Sequence, residues 1–206
     1  MKRHVLSLVL VMIILFAFTA CNGSIATPNT AEQTPTTASD NQANTPTDAE
    51  IEEVYQRAVD AFAWFDREAM PHDWEDYVLD EGEHFDWQYF RVLHDDINTL
   101  TDLEAHLNNI FTTDVVRGLF DMSPHQMYRD FDGVLRTTGG ERGWRMDVVD
   151  EVHEIIRESG QRIIYRVTVD ILDWDTLEEV VDTEVHEFVY ELIDGQWLFS
   201  NFNLTR

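Results

Sequence analysis

The chain has 206 residues, with 40 acidic against 14 basic side chains, a formal net charge of −26 and a single cysteine. Such a balance excludes nucleic acid and anionic lipid headgroups as partners, because phosphate binding needs a basic face; basic proteins or cations suit it better. One cysteine excludes an internal disulfide, so any folded region must be held by its core alone.

The chain opens with the layout of an export signal. Lys2 and Arg3 give a positive start, a largely apolar run follows from Val5 to Phe18, and small residues lead into Phe18-Thr19-Ala20-Cys21. The 16 residues from Val5 to Ala20 are short of the ~20 that a spanning helix needs. The Ala-Cys ending is similar to a lipobox, with Phe18 in place of the usual aliphatic residue. Residues 1–21 are therefore expected to form a lipoprotein signal peptide whose Cys21 is acylated. The mature protein would then be a lipid-anchored membrane protein facing the extracytoplasmic side, touching the membrane only through its acyl chains.

Residues 22–48 are Thr, Ala, Asn, Pro, Gln and Ser with little that is apolar beyond Ile25. Such a segment cannot bury enough surface to offset its ordering entropy and is expected to be a disordered tether, with a root-mean-square reach of roughly 30 Å. Residues 49–206 then form a single extracytoplasmic domain. Three acids (Glu32, Asp40, Asp48) and two bases (Lys2, Arg3) precede Ala49, leaving 37 against 12 and a net charge of −25. All twelve domain bases are arginine. An arginine keeps its charge near pH 10 where a lysine begins to lose it, so the bias suits an alkaline or saline habitat; codon bias explains it equally well.

Within the domain, Thr47-Asp48-Ala49-Glu50 reads as a capping box. Ile51, Val54, Tyr55, Ala58, Phe62 and Phe65 follow at helical spacing, and Pro71 sets the helix limit near Met70. An aromatic stretch from Trp74 to Phe90 has strand character only in its last part, His84 to Leu93. Thr101-Asp102-Leu103-Glu104 reads as a second capping box, with Leu103, Leu107, Ile110 and Phe111 marking a short helix. Thr112 or Thr113 starts another, ending near Met122.

The second half reads as strands. Asp132-Gly133, between Tyr128–Phe131 and Val134–Arg136, is a two-residue hairpin signal. Four strands are expected at about 146–157, 162–172, 178–193 and 196–204, with Ser159-Gly160 and Asp194-Gly195 in turns. Ile163, Tyr165, Val167, Val169 and Ile171 alternate with Arg166, Thr168 and Asp170; Val181, Val185, Val189 and Ile193 alternate with Asp182, Glu184 and His186. The expected class is α+β, with N-terminal helices packed on a curved antiparallel β-meander.

No catalytic motif stands out. His153-Glu154-Ile155-Ile156-Arg157 lacks the second histidine of a zinc-protease helix, and a strand there would throw His153 and Glu154 to opposite faces. His186-Glu187 has the same weakness. Asp170, Asp173, Asp175, Glu178 and Glu179 crowd one hairpin but lack the glycine and spacing of a calcium loop. Ser123, Ser159 and Ser200 sit in no nucleophile-elbow context. The domain is read as non-enzymatic, with no cofactor and no metal. The six tryptophans are read chiefly as core, Trp197 above all. Trp174 is the exception: it lies between Asp173 and Asp175 at a hairpin tip, and this Asp173-Trp174-Asp175 tip is the candidate partner-binding surface.

Tyr89-Phe90-Arg91-Val92-Leu93, the leucine-spaced helix after Leu100, Phe111-Thr112, Tyr128 followed by Asp132-Gly133-Val134-Leu135, and Asp194-Gly195-Gln196-Trp197-Leu198-Phe199-Ser200 occur in a telling order. Together they resemble the cell-wall DL-endopeptidase inhibitor family of bacteria. That resemblance implies a wall-facing protein that binds peptidoglycan hydrolases of the NlpC/P60 type and blocks their cysteine-histidine site. The closing hairpin is also similar to that of cystatin-like or NTF2-like lipoproteins, which would imply a small-ligand or protein-binding module with a pocket between helices and sheet.

Overall fold

A computed structural model of the chain describes residues 45–81, 86–122, 125–140 and 143–206. Cys21, nearly all of the expected tether, the expected strand start at His84 and the serine at 123 lie outside the described residues. The fold is α+β, with three helices and two antiparallel four-stranded sheets. None of these helices is long and apolar enough to cross a membrane.

Helix α1 (Asp48–Asp66) begins at the expected capping box: the Thr47 side chain accepts from the Glu50 amide at 3.3 Å, and Glu50 Oε2 accepts from the Thr47 amide at 2.7 Å. It ends one turn before the Met70 limit. The buried Met70 amide donates to the Tyr128 hydroxyl at 2.9 Å, a tertiary bond that draws the chain out of helical geometry. Helices α2 (Leu100–Asn108) and α3 (Thr113–Asp121) follow the predicted pair. The cap of α2 is Thr99 rather than Thr101, with Asp102 reaching back to the Thr99 amide at 2.9 Å. Both threonines stand three residues before an acid; starting from Thr99 lets Leu103 and Leu107 face the core.

The larger sheet is the expected meander of β5 (Val148–Ser159), β6 (Arg162–Leu172), β7 (Val180–Ile193) and β8 (Gln196–Phe199), in sequence order. Irregularities between Val149 and Glu151 and between Arg157 and Ser159 break the β5 register. Asp194 and Gly195 both take positive φ in the β7–β8 turn, as Asp132 and Gly133 do in the β3–β4 turn, which is what a two-residue hairpin of matching twist requires.

The smaller sheet corrects the reading of the first half as helices with one strand. Its order is β1-β2-β4-β3, from β1 (His72–Asp80), β2 (Trp87–Val92), β4 (Val134–Thr137) and β3 (Tyr128–Phe131). The Asp132-Gly133 hairpin therefore joins the N-terminal strands instead of the meander. In β1 the pairing jumps from Asp73↔Arg91 to Tyr77↔Phe90, so the period of two is lost halfway along.

The sense of alternation in β7 is the reverse of the valine pattern. Ile163, Tyr165 and Val167 face the core from β6 and pair with Tyr190, Phe188 and His186, so the even residues of β7 point inward. Val181 and Val185 are exposed. Two rings bury more apolar area than valines do, and they set the phase.

The core lies between α1 and the inner face of the meander. Tyr55 stacks on Tyr165 at 4.2 Å, Phe202 stacks on Phe188 at 4.6 Å, and Phe111 and Phe62 close the row at 5.4 and 5.6 Å from Phe202. Further along α1, Phe65 meets Phe120 of α3 and Tyr128 of β3, joining the smaller sheet to the same cluster. Phenylalanine and tyrosine fill this space, so the tryptophans are displaced from it. Trp197 is half-buried against Tyr190, and Trp74, Trp144 and Trp174 are exposed.

Candidate functional site

The β6–β7 hairpin loop, residues 173–179, is braced by its first residue. The Asp173 amide donates to the Glu179 carbonyl at 2.8 Å, and the Asp173 carbonyl accepts from the Leu177 amide at 2.7 Å. One oxygen of the Asp173 carboxylate accepts from the Asp175 amide, the Thr176 amide and the Thr176 hydroxyl at 3.0–3.1 Å. Asp173 is thus spent on the loop's own geometry, while Trp174 stands 64% exposed and Asp175 is open to solvent. Of the three expected contact residues, two are presented and the third holds them.

Leu177 of the loop and Val180 and Val181 at the start of β7 are exposed as well. Leu177 takes φ +53°, strained for a branched side chain. Among the described residues, Asp175, Glu178, Glu179 and Asp182 have no arginine partner. The foot of the hairpin differs: the Leu172 amide donates to the Asp147 carbonyl at 2.7 Å, and Arg145 bridges Asp147 and Glu184 at 2.9 Å each. Hydrogen bonds from Arg145 hold both of these carboxyls below the usual carboxylate range.

His153 and Glu154 do point to opposite faces of β5. Glu154 pairs outward with Arg166 at 2.7 Å. Inward, the Tyr165 hydroxyl donates to Glu52 of α1 at 2.5 Å and sits 2.6 Å from His153 Nδ1, so it accepts from that nitrogen. Nε2 of the ring lies 3.3 Å from Glu151, which also accepts from the Thr205 hydroxyl at 2.8 Å. Tyr165 is fully buried, and burial, with Glu52 beside it, pushes its hydroxyl far above the ordinary tyrosine range. A hydroxyl with no access to solvent cannot meet a substrate; this network ties α1 to the sheet. His186 stacks on Phe188. Among the described residues no group of three or more His, Cys, Asp and Glu side chains is arranged to hold a metal ion, and in the acidic hairpin Asp170 accepts instead from the Thr183 hydroxyl at 3.3 Å.

A second surface was not legible in the sequence. Where α1 ends, an open groove of about 690 Å³ runs between Trp64 and Trp74, with Glu68, Pro71, His72 and Leu93 along it. Trp74 packs on His72 at 4.2 Å and Phe90 at 4.7 Å, yet stays 63% exposed. Gly139, at φ +67°, lies against the other side of this stack; a Cβ there would come within 3.1 Å of His72 and 3.4 Å of Trp74. The space between α1 and the meander, by contrast, is occupied by the stacked rings of the core.

A scan against protein-family profiles finds no family that matches this chain, and a search of curated proteins finds no similar sequence.

Proposed function

We propose that this chain is a non-enzymatic, lipid-anchored extracytoplasmic protein that docks a basic, wall-associated protein through the β6–β7 hairpin. The partner suggested by the sequence resemblance is a peptidoglycan DL-endopeptidase of the NlpC/P60 type, which the docked hairpin would inhibit. The observation that carries this reading is Trp174, an exposed indole on a loop braced by Asp173 and followed by carboxylates that have no arginine partner among the described residues. An aromatic anchor of this kind supplies binding energy at the centre of an interface, and the surrounding charge steers a basic partner toward it. The alternative of a small ligand held between helices and sheet is disfavoured by Tyr55, Tyr165, Phe188 and Phe202, which fill that space.

The test is a titration of the purified protein into an NlpC/P60-type hydrolase acting on soluble wall fragments. Stoichiometric loss of hydrolysis is expected. Full activity with a large excess of the protein present would sink the inhibitor reading.

A further inference from the structure

The groove at the end of α1 is built as firmly as the hairpin. The Trp64 carbonyl accepts from the Tyr128 hydroxyl at 2.8 Å, and the Trp64 ring packs on His106 and His94 at 5.5 and 5.9 Å. Across from it the Ala69 amide donates to the Gly140 carbonyl at 3.2 Å, and the Leu93 amide donates to the Pro71 carbonyl at 2.7 Å. Two strands of the chain are thus cross-tied beneath a surface that leaves Trp74 and Leu93 more than half exposed. Core packing does not account for that exposure.

Glu68 lines the same groove as the two indoles, exposed and in no ion pair among the described residues. Arg91, Arg129, Arg136, Arg145, Arg157, Arg162, Arg166 and Arg206 each hold at least one other carboxylate, and none of them reaches Glu68. Indole faces attract cations through the ring quadrupole, and a carboxylate at the rim adds charge to that attraction. An anionic ligand would be repelled by a domain of net charge −25. A neutral one would leave Glu68 unanswered.

We infer that the Trp64–Trp74 groove receives a lysine or arginine side chain of a basic protein partner, with Glu68 as its counter-ion. This rests on the reading of the domain as a binder of basic protein, and it gives the domain a second contact surface built from other elements than the hairpin. The groove supplies side-chain chemistry where the hairpin supplies an anchor.

The test uses small probes, so that it does not depend on the identity of the partner. The blocked tripeptide Gly-Lys-Gly and its side-chain-acetylated, uncharged form are titrated with the full-length protein in mild detergent at constant ionic strength. Binding is read by saturation-transfer NMR on the peptide. The charged peptide should bind saturably, and acetylation should weaken it by about tenfold or more. Trp74→Ala, which leaves the net charge unchanged, should weaken it similarly, and Glu68→Gln by about threefold to tenfold. Circular dichroism checks that each variant is folded, and Glu68→Gln, at an exposed position, keeps the test decisive if Trp74→Ala is not. Equal binding of the two peptides, or full binding by both groove variants, would overturn the inference. If the hydrolase titration fails while the charged peptide still requires Trp74, only the identity of the partner is lost. If inhibition holds and the peptide does not bind, only the groove is lost.

Discussion

The centre of the meander and the edge of the smaller sheet reach the same secondary structure by different chemistry. Along β6, Ile163, Tyr165, Val167, Val169 and Ile171 form an inward row with almost no exposed surface. Along β1 no residue is fully buried, and arginines reach across to hold the strand. The Arg136 guanidinium, itself nearly buried, donates to the Asp76 carbonyl at 2.9 Å and to its carboxylate at 2.8 Å. Arg91 faces the same carboxylate at 3.9 Å, and Arg129 pairs with Asp80 while lying over Phe131 and Tyr89. One strand is held by removing apolar surface from water, the other by a planar cation that answers several oxygens at once. The same device recurs on the outer face of the meander, where Arg166 joins Glu154 and Glu187 at 2.7 Å each. The all-arginine basicity of the domain thus has a structural use, since a lysine ammonium lacks the fork that bridges two carboxylates.

Cutting the core should have the largest effect. Phe188→Ala removes a ring that contacts Tyr55 and Phe202, and urea denaturation should show a loss of about 3–5 kcal/mol. Arg136→Ala should cost less, about 2 kcal/mol, because the broken pair leaves Asp76 partly in water. Its signature is local: hydrogen exchange should quicken in the β1–β2 amides while β6 stays protected. Arg136→Lys should recover only part of the loss. Equal recovery by lysine would mean that charge, not the fork, holds β1.

Acid and alkali should separate the two kinds of chemistry further. Burial raises the hydroxyls of Tyr55 and Tyr165 far above their ordinary value, and it pushes Tyr190 up to about 12. A raised folded value means stability that is fully present below the unfolded pKa of ~10 and lost as pH climbs through the folded one. The Arg145 carboxylates are shifted the other way: Asp147 and Glu184 are depressed, so their contribution is present above about pH 4–5 and lost as pH falls. Burial also holds the His106 imidazole below its usual range, a contribution lost as pH falls below about 6.5. Melting temperature should therefore be flat only between about pH 7 and 10 and fall on both sides. Arg145→Ala should reduce the acid dependence alone, because the tyrosines do not touch that clamp. A variant that moved the alkaline limb instead would break the separation.

How much of this could be read from the residues follows the same division. The strict alternation of β6 placed that strand at 162–172, where it is found, because burial writes its period into the sequence. In β7 the period was legible but its sense was not, since three valines and Ile193 mark one face and only contact with Tyr165 and Ile163 favours Phe188 and Tyr190. In β1, four acids and a broken register hid the strand. With 37 carboxylates for twelve arginines, nothing in the sequence says that Arg136 belongs to Asp76. At the candidate site, an indole between two acids in a turn was enough to single out Trp174. The inward role of Asp173 was not visible, nor was the Trp64–Trp74 groove, whose lining comes from three stretches, 64–74, Leu93 and Gly140, brought together only by the fold.

The docking role of the β6–β7 hairpin is tested most directly by Trp174→Ala, with melting temperature and affinity for the hydrolase measured on the same preparation. Because Trp174 is exposed and the loop is braced through Asp173, stability should change by less than ~0.5 kcal/mol while binding weakens by ~2 kcal/mol or more, about thirtyfold. A fully folded variant that binds and inhibits as well as the wild type would contradict the hairpin as the docking surface. So would a loss of binding that only follows a loss of several degrees in melting temperature.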